Sequence, residues 1–235
     1  MSARATDPSS PRPAEGPTLV SIARTAEVLD APSADARTLA GWERRRLALV
    51  RVPSRRDDVL AARLLLRWCV ARVLGRPPDA VEVRQHCPDC RGTGHGRPFL
   101  PGQPGLGISM SHADGLVAAA VGPGPVGVDI ERDDRVPPGR DVLLRHFPAA
   151  AHHPGADPLR QWVEAEARFK AGDTGQPVRS WYDVPRAACA AVSCAASWQV
   201  RGAADLSRRL DSSAQVTSDV TTLRRSGGGV PEEKA

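Results

Sequence analysis

Asp129 and Glu131 are separated by one residue in the run Gly127-Val128-Asp129-Ile130-Glu131. In a β-strand side chains alternate between two faces, so both carboxylates point one way while Val126, Val128 and Ile130 point the other. Two such carboxylates repel unless positive charge lies between them, and a hard divalent cation such as Mg2+ takes oxygen ligands of this kind. Taken alone, the pentapeptide reads more plainly as a strand end with a solvated acidic face. A third carboxylate, Glu166, lies further on, where Trp162, Glu166 and Lys170 recur every four residues and share one stripe of a helix. By itself the Glu166/Lys170 spacing is an ordinary ion pair worth roughly 0.3–0.5 kcal/mol, and Glu164 with Arg168 repeats it. A separate group, Cys87-Pro88-Asp89-Cys90 with His95, has spacing that invites zinc. A closed structural zinc site needs four ligands, and the fourth is not evident, since His86 adjoins Cys87 and is awkwardly placed. Free thiols are the favoured reading of that loop.

These residues need elements to hold them. Residues 1 to about 16 are rich in Ser, Pro, Arg and Glu and read as a disordered lead-in. A strand is expected at Thr18–Ala23 and a helix over Ala36–Val50, with Leu39, Trp42 and Leu47 inward and Arg44, Arg45 and Arg46 outward. Ser54-Arg55-Arg56-Asp57 resembles a capping box and opens a strong, mostly apolar helix that Gly75 and Pro77-Pro78 stop. Val81-Glu82-Val83 reads as a short strand. Leu106–Val121 reads as two strands joined at Asp114-Gly115, and a tight turn at Pro123-Gly124-Pro125 leads into Val126–Glu131. Short successive strands joined by turns predict an antiparallel sheet. A helix around Asp141–His146 and a loop over Pro148–Pro158 precede the helix Leu159–Ala171, which ends at Gly172. Further strands are expected at Ala187–Ser193 and Ser197–Val200, and from about Leu206 the polar tail reads as disordered. No internal repeat is visible in the sequence.

The 235 residues can bury a real core. With 4% aromatic residues that core must rest on Leu, Val and Ala. The net charge of +5, mostly arginine, suits an anionic ligand or an acidic partner. Interleaved aromatics and a recognisable nucleic-acid motif are both lacking, so nucleic acid is an unlikely partner. The start is polar and proline-rich with no secretory h-region, and the longest apolar run, Leu116–Val121, is too short to span a bilayer. Five cysteines argue against a disulfide framework and for a reducing cytoplasm.

Four motifs in order carry a resemblance: Gly96-Arg97-Pro98, Ser109-Met110-Ser111-His112, Gly127-Val128-Asp129-Ile130-Glu131, and Trp162-Val163-Glu164-Ala165-Glu166-Ala167-Arg168-Phe169-Lys170. Over roughly residues 37–200 the chain resembles the 4′-phosphopantetheinyl transferases of the Sfp-like class, and its Cys87–Cys90 loop resembles that of actinobacterial members. The resemblance implies an α+β fold of two similar α/β half-domains in a pseudo-twofold arrangement. The corresponding division is 17–122 for the first half, 123–205 for the second, and disordered ends at 1–16 and 206–235. It implies transfer of the phosphopantetheine arm of coenzyme A to a serine of an apo acyl or peptidyl carrier protein, in polyketide or non-ribosomal peptide biosynthesis, by a cytoplasmic monomer. On this basis Asp129, Glu131 and Glu166 would hold Mg2+, or Mn2+ in its place. Glu166 would act as general base and Lys170 would contact the phosphate and the departing charge. Arg45, Arg97, Ser111 and His112 would bind coenzyme A, the co-substrate. Two positions depart from the family pattern: Ala165 stands where a lysine is common, and Asp58 where an arginine is usual. They favour a second reading, a degenerate homologue that binds coenzyme A or a carrier without efficient catalysis.

Overall fold

The computed structural model describes residues 16–139, 141–142, 145 and 157–208. Of the helix expected around Asp141–His146 only residues 141, 142 and 145 are described, and they are helical; most of the Pro148–Pro158 loop and nearly all of both terminal segments lie outside the described residues. What is described is a mixed α+β protein of four layers. Strand β1 (Thr18–Arg24) is followed by the short helix α1 (Thr25–Leu29), then α2 (Gly41–Ala48) and the long α3 (Pro53–Leu74). A small hairpin, β2 (Arg84–His86) with β3 (Arg97–Phe99), precedes β4 (Leu106–Ala113) and β5 (Leu116–Pro123). The acidic strand is β6 (Gly127–Arg132); helix α4 (Pro158–Ala171) and strands β7 (Val178–Asp183), β8 (Ala188–Ser193) and β9 (Trp198–Gly202) follow.

The strands form one sheet in the order β4-β5-β1-β9 and another in the order β6-β8-β7. All pairs in them are antiparallel except β1 with β9. Each sheet is traced by the same path: a strand, a helix, then a hairpin whose second strand lies beside the first. The order β1-β5-β4 in one sheet thus matches β6-β8-β7 in the other, a repeat of topology that the sequence does not display.

Strand alternation assigns the layers. Leu19, Ala23, Val117, Ala119 and Val121 face α3, where they meet Leu64, Leu65, Trp68 and Cys69. Val20, Ile22, Leu116, Ala118 and Ala120 face the other way and pack against Val128, Ile130, Ala190 and Val192 of the second sheet. On that sheet's far side, Cys189 and Ala191 meet Leu159, Val163 and Ala167 of α4. Small side chains let α4 lie close: a Cβ added at Gly127 would sit 1.9 Å from the Ala167 carbonyl oxygen.

The hairpin at Asp114-Gly115 forms as expected, with Ala113 opposite Leu116. Helix α3 also stops as expected, at Gly75, which adopts φ +62. Several details differ. The Ser54–Asp57 capping box does not form; Val52 is the N-cap, and Pro53 at the first helical position supplies the start instead. The helix expected over Ala36–Val50 is split into a 3-10 turn, Ala36–Thr38, and α2, because Asp35 caps the first piece and Glu43 reaches back to the Ala40 amide. Val81 and Val83 are buried but precede the strand, which begins at Arg84. Strand β9, assigned by sequence to the second half, pairs with β1 of the first. Residues 206–208, expected to be a disordered tail, continue a helical segment from 203, with Leu206 buried in the first core.

Asp58 is explained here. It is buried on α3, where it accepts hydrogen bonds from the Thr25 hydroxyl and the Gly115 amide. One carboxylate thereby ties the β1–α1 junction and the β4–β5 turn to the long helix. Asp58→Ala leaves a buried hydroxyl and amide without their acceptor, a loss of about 1–3 kcal/mol. It is expected to lower the urea midpoint at unchanged m-value, with Asp58→Asn less affected. An unchanged midpoint in Asp58→Ala would show that these bonds hold nothing.

Candidate active site

A cleft of about 730 Å3 opens where β4, β6, α3 and α4 meet the β2–β3 hairpin, within the usual size of small-molecule sites. Asp129, Glu131, Glu166, Lys170, Ser111 and His112 all line it, together with Arg46, Arg63 and Trp162. The alternation of β6 that buries Val128 and Ile130 between the sheets turns Asp129 and Glu131 beneath α4, where the four-residue stripe of that helix presents Trp162, Glu166 and Lys170. The capped N-terminus of α4, where the Asp157 carboxylate accepts from the Leu159 amide at 2.9 Å, and the Gly172 stop fix its ends.

Asp129 is the hub. It is 4% exposed, and its Oδ1 accepts from Lys170 Nζ at 2.5 Å and from Ser111 Oγ at 2.7 Å. Lys170 also donates to Ser111 at 2.9 Å. The neighbouring Ser109 hydroxyl receives the Val128 amide at 3.1 Å, so β4 and β6 are joined through serines. Glu131 pairs with Arg135 one helical-turn spacing further along the chain. Burial pushes the Glu131 carboxyl above its ordinary range, and Asp129 adds to this while Arg135 opposes it. Glu166 is raised for the same reasons, burial first, then Asp129, with Lys170 opposing. Burial pushes His112 below the usual imidazole range, against the pull of Asp58, so at neutral pH it is an uncharged donor or acceptor.

The donor set fits a hard divalent cation. Asp129 Oδ2 is buried with no hydrogen-bond partner, and three carboxylates share one low-dielectric pocket in which two are held above their normal range. The three are not drawn in to coordination distance; the group whose ligand atoms all lie within 4.8 Å of one another is Cys87, Cys90 and His95.

Two predicted residues lie elsewhere. Arg45 is exposed and outside the cleft lining; its neighbour Arg46 lies in it, because one residue turns a helix by about 100°. Arg97 is also outside. Its guanidinium donates to the Phe169 carbonyl at 3.2 Å and lies over the Phe169 ring, closing the C-terminal end of α4. The residues about it, Gln85, His95 and Gly96, line the cleft instead. Arg63 was missed. It and Arg67 are buried and both bind Glu43, which is fully buried. Two guanidiniums on one carboxylate leave a positive excess against the cleft wall. The signal was available: Arg63 and Arg67 are four apart in the apolar middle of the helix, where buried charges require a partner.

Neither the models of known protein families nor the curated proteins match this chain. Among the described residues no helix is long and apolar enough to cross a membrane.

The raised carboxyls have a measurable consequence. A glutamate held above its ordinary value of 4.5 binds more protons in the folded than in the unfolded state, so stability falls as pH rises through that window. Glu166→Gln removes the penalty, and in metal-free protein it is expected to melt higher than the parent at neutral pH. The difference should vanish below pH 4.5, and thermal melts across pH check it; a lower melting temperature for the variant at neutral pH would contradict the assigned environment.

Proposed function

We propose that this protein moves the 4′-phosphopantetheine arm of coenzyme A onto a serine of an apo acyl or peptidyl carrier protein, releasing 3′,5′-ADP. The observation that carries the reading is the gathering, in one cleft, of Asp129, Glu131 and Glu166 beside Lys170, Ser111 and His112. These are the residues that the sequence resemblance to the phosphopantetheinyl transferases singles out. The repeated strand–helix–hairpin path supports the two half-domain architecture of that family, with the coenzyme in the cleft between halves.

In this reading Asp129, Glu131 and Glu166 would hold Mg2+, which when bound neutralises charge on the pyrophosphate oxygens. The remaining work falls to the side chains. Glu166, raised by burial and by Asp129, is a stronger base than a solvated glutamate and takes the proton of the carrier serine, directly or through water. The serine oxygen bonds to the pantetheine-side phosphorus as the bridging P–O bond to 3′,5′-ADP breaks. Lys170, already against Asp129, supplies positive charge where the leaving group gains negative charge. Arg46 and Arg63 take over the coenzyme phosphate contacts expected of Arg45 and Arg97, with Ser111 and His112 as neutral partners. Asp58, which favoured a non-catalytic homologue, is committed to the β4–β5 turn and lies off the cleft lining.

Incubation with Mg2+, coenzyme A and an apo carrier protein is expected to add one phosphopantetheine to the carrier, read by mass spectrometry. No gain across several carriers, with a known transferase succeeding in parallel, would overturn the proposal. Glu166→Ala is expected to lower the rate about 10²–10⁴-fold, and Asp129→Ala and Glu131→Ala to abolish transfer while circular dichroism stays native. Turnover near that of the parent in any of the three would refute its role.

A further inference from the structure

The β2–β3 hairpin extends into a tip that no apolar burial secures: Pro88, Asp89, Cys90 and Arg91 are all exposed. Its paired part is three residues per strand, and a two-stranded hairpin of that size is marginal in water. The tip is nevertheless closely ordered around sulfur. Cys90 Sγ lies 3.1 Å from His95 Nε2. The Gly92 amide donates to Cys90 Sγ at 3.3 Å, and the Cys87 amide donates to the Gly92 carbonyl at 2.9 Å. Two backbone features permit this closure. Arg91 adopts φ 58, a left-handed conformation costing a non-glycine residue about 1–3 kcal/mol. A Cβ at Gly92 would come within 3.0 Å of His95 Cε1 and 3.1 Å of Cys90 Sγ.

We propose that Cys87, Cys90 and His95 bind a zinc ion that pins this tip. Their ligand atoms lie within 4.8 Å of one another. A tetrahedral zinc with Zn–S of about 2.3 Å and Zn–N of about 2.0 Å places its ligands roughly 3.3–3.8 Å apart, so only small side-chain adjustments are needed. Two thiolates and an imidazole select zinc over magnesium, which prefers oxygen. Binding releases the two thiol protons to solvent, and the Gly92 N–H···S bond offsets charge left on sulfur. Among the described residues no fourth His, Cys, Asp or Glu joins the group within that distance, so a solvent molecule completes the tetrahedron. Both cysteines are free, as the sequence reading expects; the proposal departs from that reading because the fold brings His95 back onto Cys90, which spacing alone did not reveal.

The site has a functional consequence, because His95, Gly96 and Gln85 form one wall of the cleft. The metal thus sets the position of that wall, independently of which reaction the cleft performs. The full-length protein, supplied with zinc and then passed through metal-depleted buffer, is expected to retain about one zinc per chain by elemental mass spectrometry. Cys90→Ser and His95→Ala should lower that content at least about tenfold, whereas Glu166→Gln should leave it unchanged. Should the variants fail to fold, the parent still decides the matter. Cys69, Cys189 and Cys194 are buried, so the zinc-loaded protein is expected to show no reactive thiol toward Ellman's reagent, and two after a strong chelator. Cobalt in place of zinc should give a thiolate-to-metal charge-transfer band that Cys90→Ser lacks. A zinc-supplied protein that retains no zinc, with two thiols reactive before chelation or a Cys87–Cys90 disulfide by mass spectrometry, would overturn the inference.

Discussion

The contact between Lys170 and Asp129 is the constraint on which the cleft depends. A carboxylate as buried as Asp129 is costly unless paired, and its partner comes from α4, forty-one residues away in the chain. The helix must therefore sit at one height over β6, and Ser111 of β4 joins the same oxygen. Three elements, one strand from each sheet and α4, are thus indexed against one another by a single acidic group. Small residues allow it: with any side chain at Gly127, α4 would stand off and the ammonium could not reach. The second Asp129 oxygen keeps no partner, and the Asp129 charge adds to the burial that holds Glu131 and Glu166 above their ordinary range.

The parts of the fold that were legible in the sequence are those governed by short-range rules. Period-two alternation in β6, the Asp-Gly turn, and the glycine stops after α3 and α4 each depend on a few neighbouring residues. So does the stripe of α4, which is why six of the eight expected site residues meet in one cleft. The failures share a different cause. Arg45 and Arg46 are distinguished only by the rotation of α2 about its axis, which the distant Glu43–Arg67 contact fixes. Arg97 was drawn away by the end of a helix more than sixty residues later. Asp58 looked misplaced for a phosphate site because its true partners, Thr25 and Gly115, are brought to it by the tertiary fold.

The Glu43–Arg63–Arg67 cluster shows how a structural and a chemical role can share the same charges. Pairing one carboxylate with two guanidiniums satisfies the buried arginines and still leaves positive potential on the side of the cleft where Arg63 surfaces. A stronger neutralisation would pack as well but would remove the attraction for anions. Trp42, whose ring lies 5.2 Å from the Arg63 guanidinium carbon, holds that side chain without adding a counter-charge.

The parallel pairing of β1 with β9 has a consequence for how the chain is made. Among the described strands β1 is the first to emerge during synthesis and β9 the last. Until residue 202 has been added, one edge of β1 offers unpaired amides and carbonyls to any passing strand, a hazard that exposed sheet edges carry generally. At roughly 5–20 residues per second, that edge stays open for several seconds after β5 is complete. The nascent protein is therefore most vulnerable to mispairing at β1, until β9 closes it.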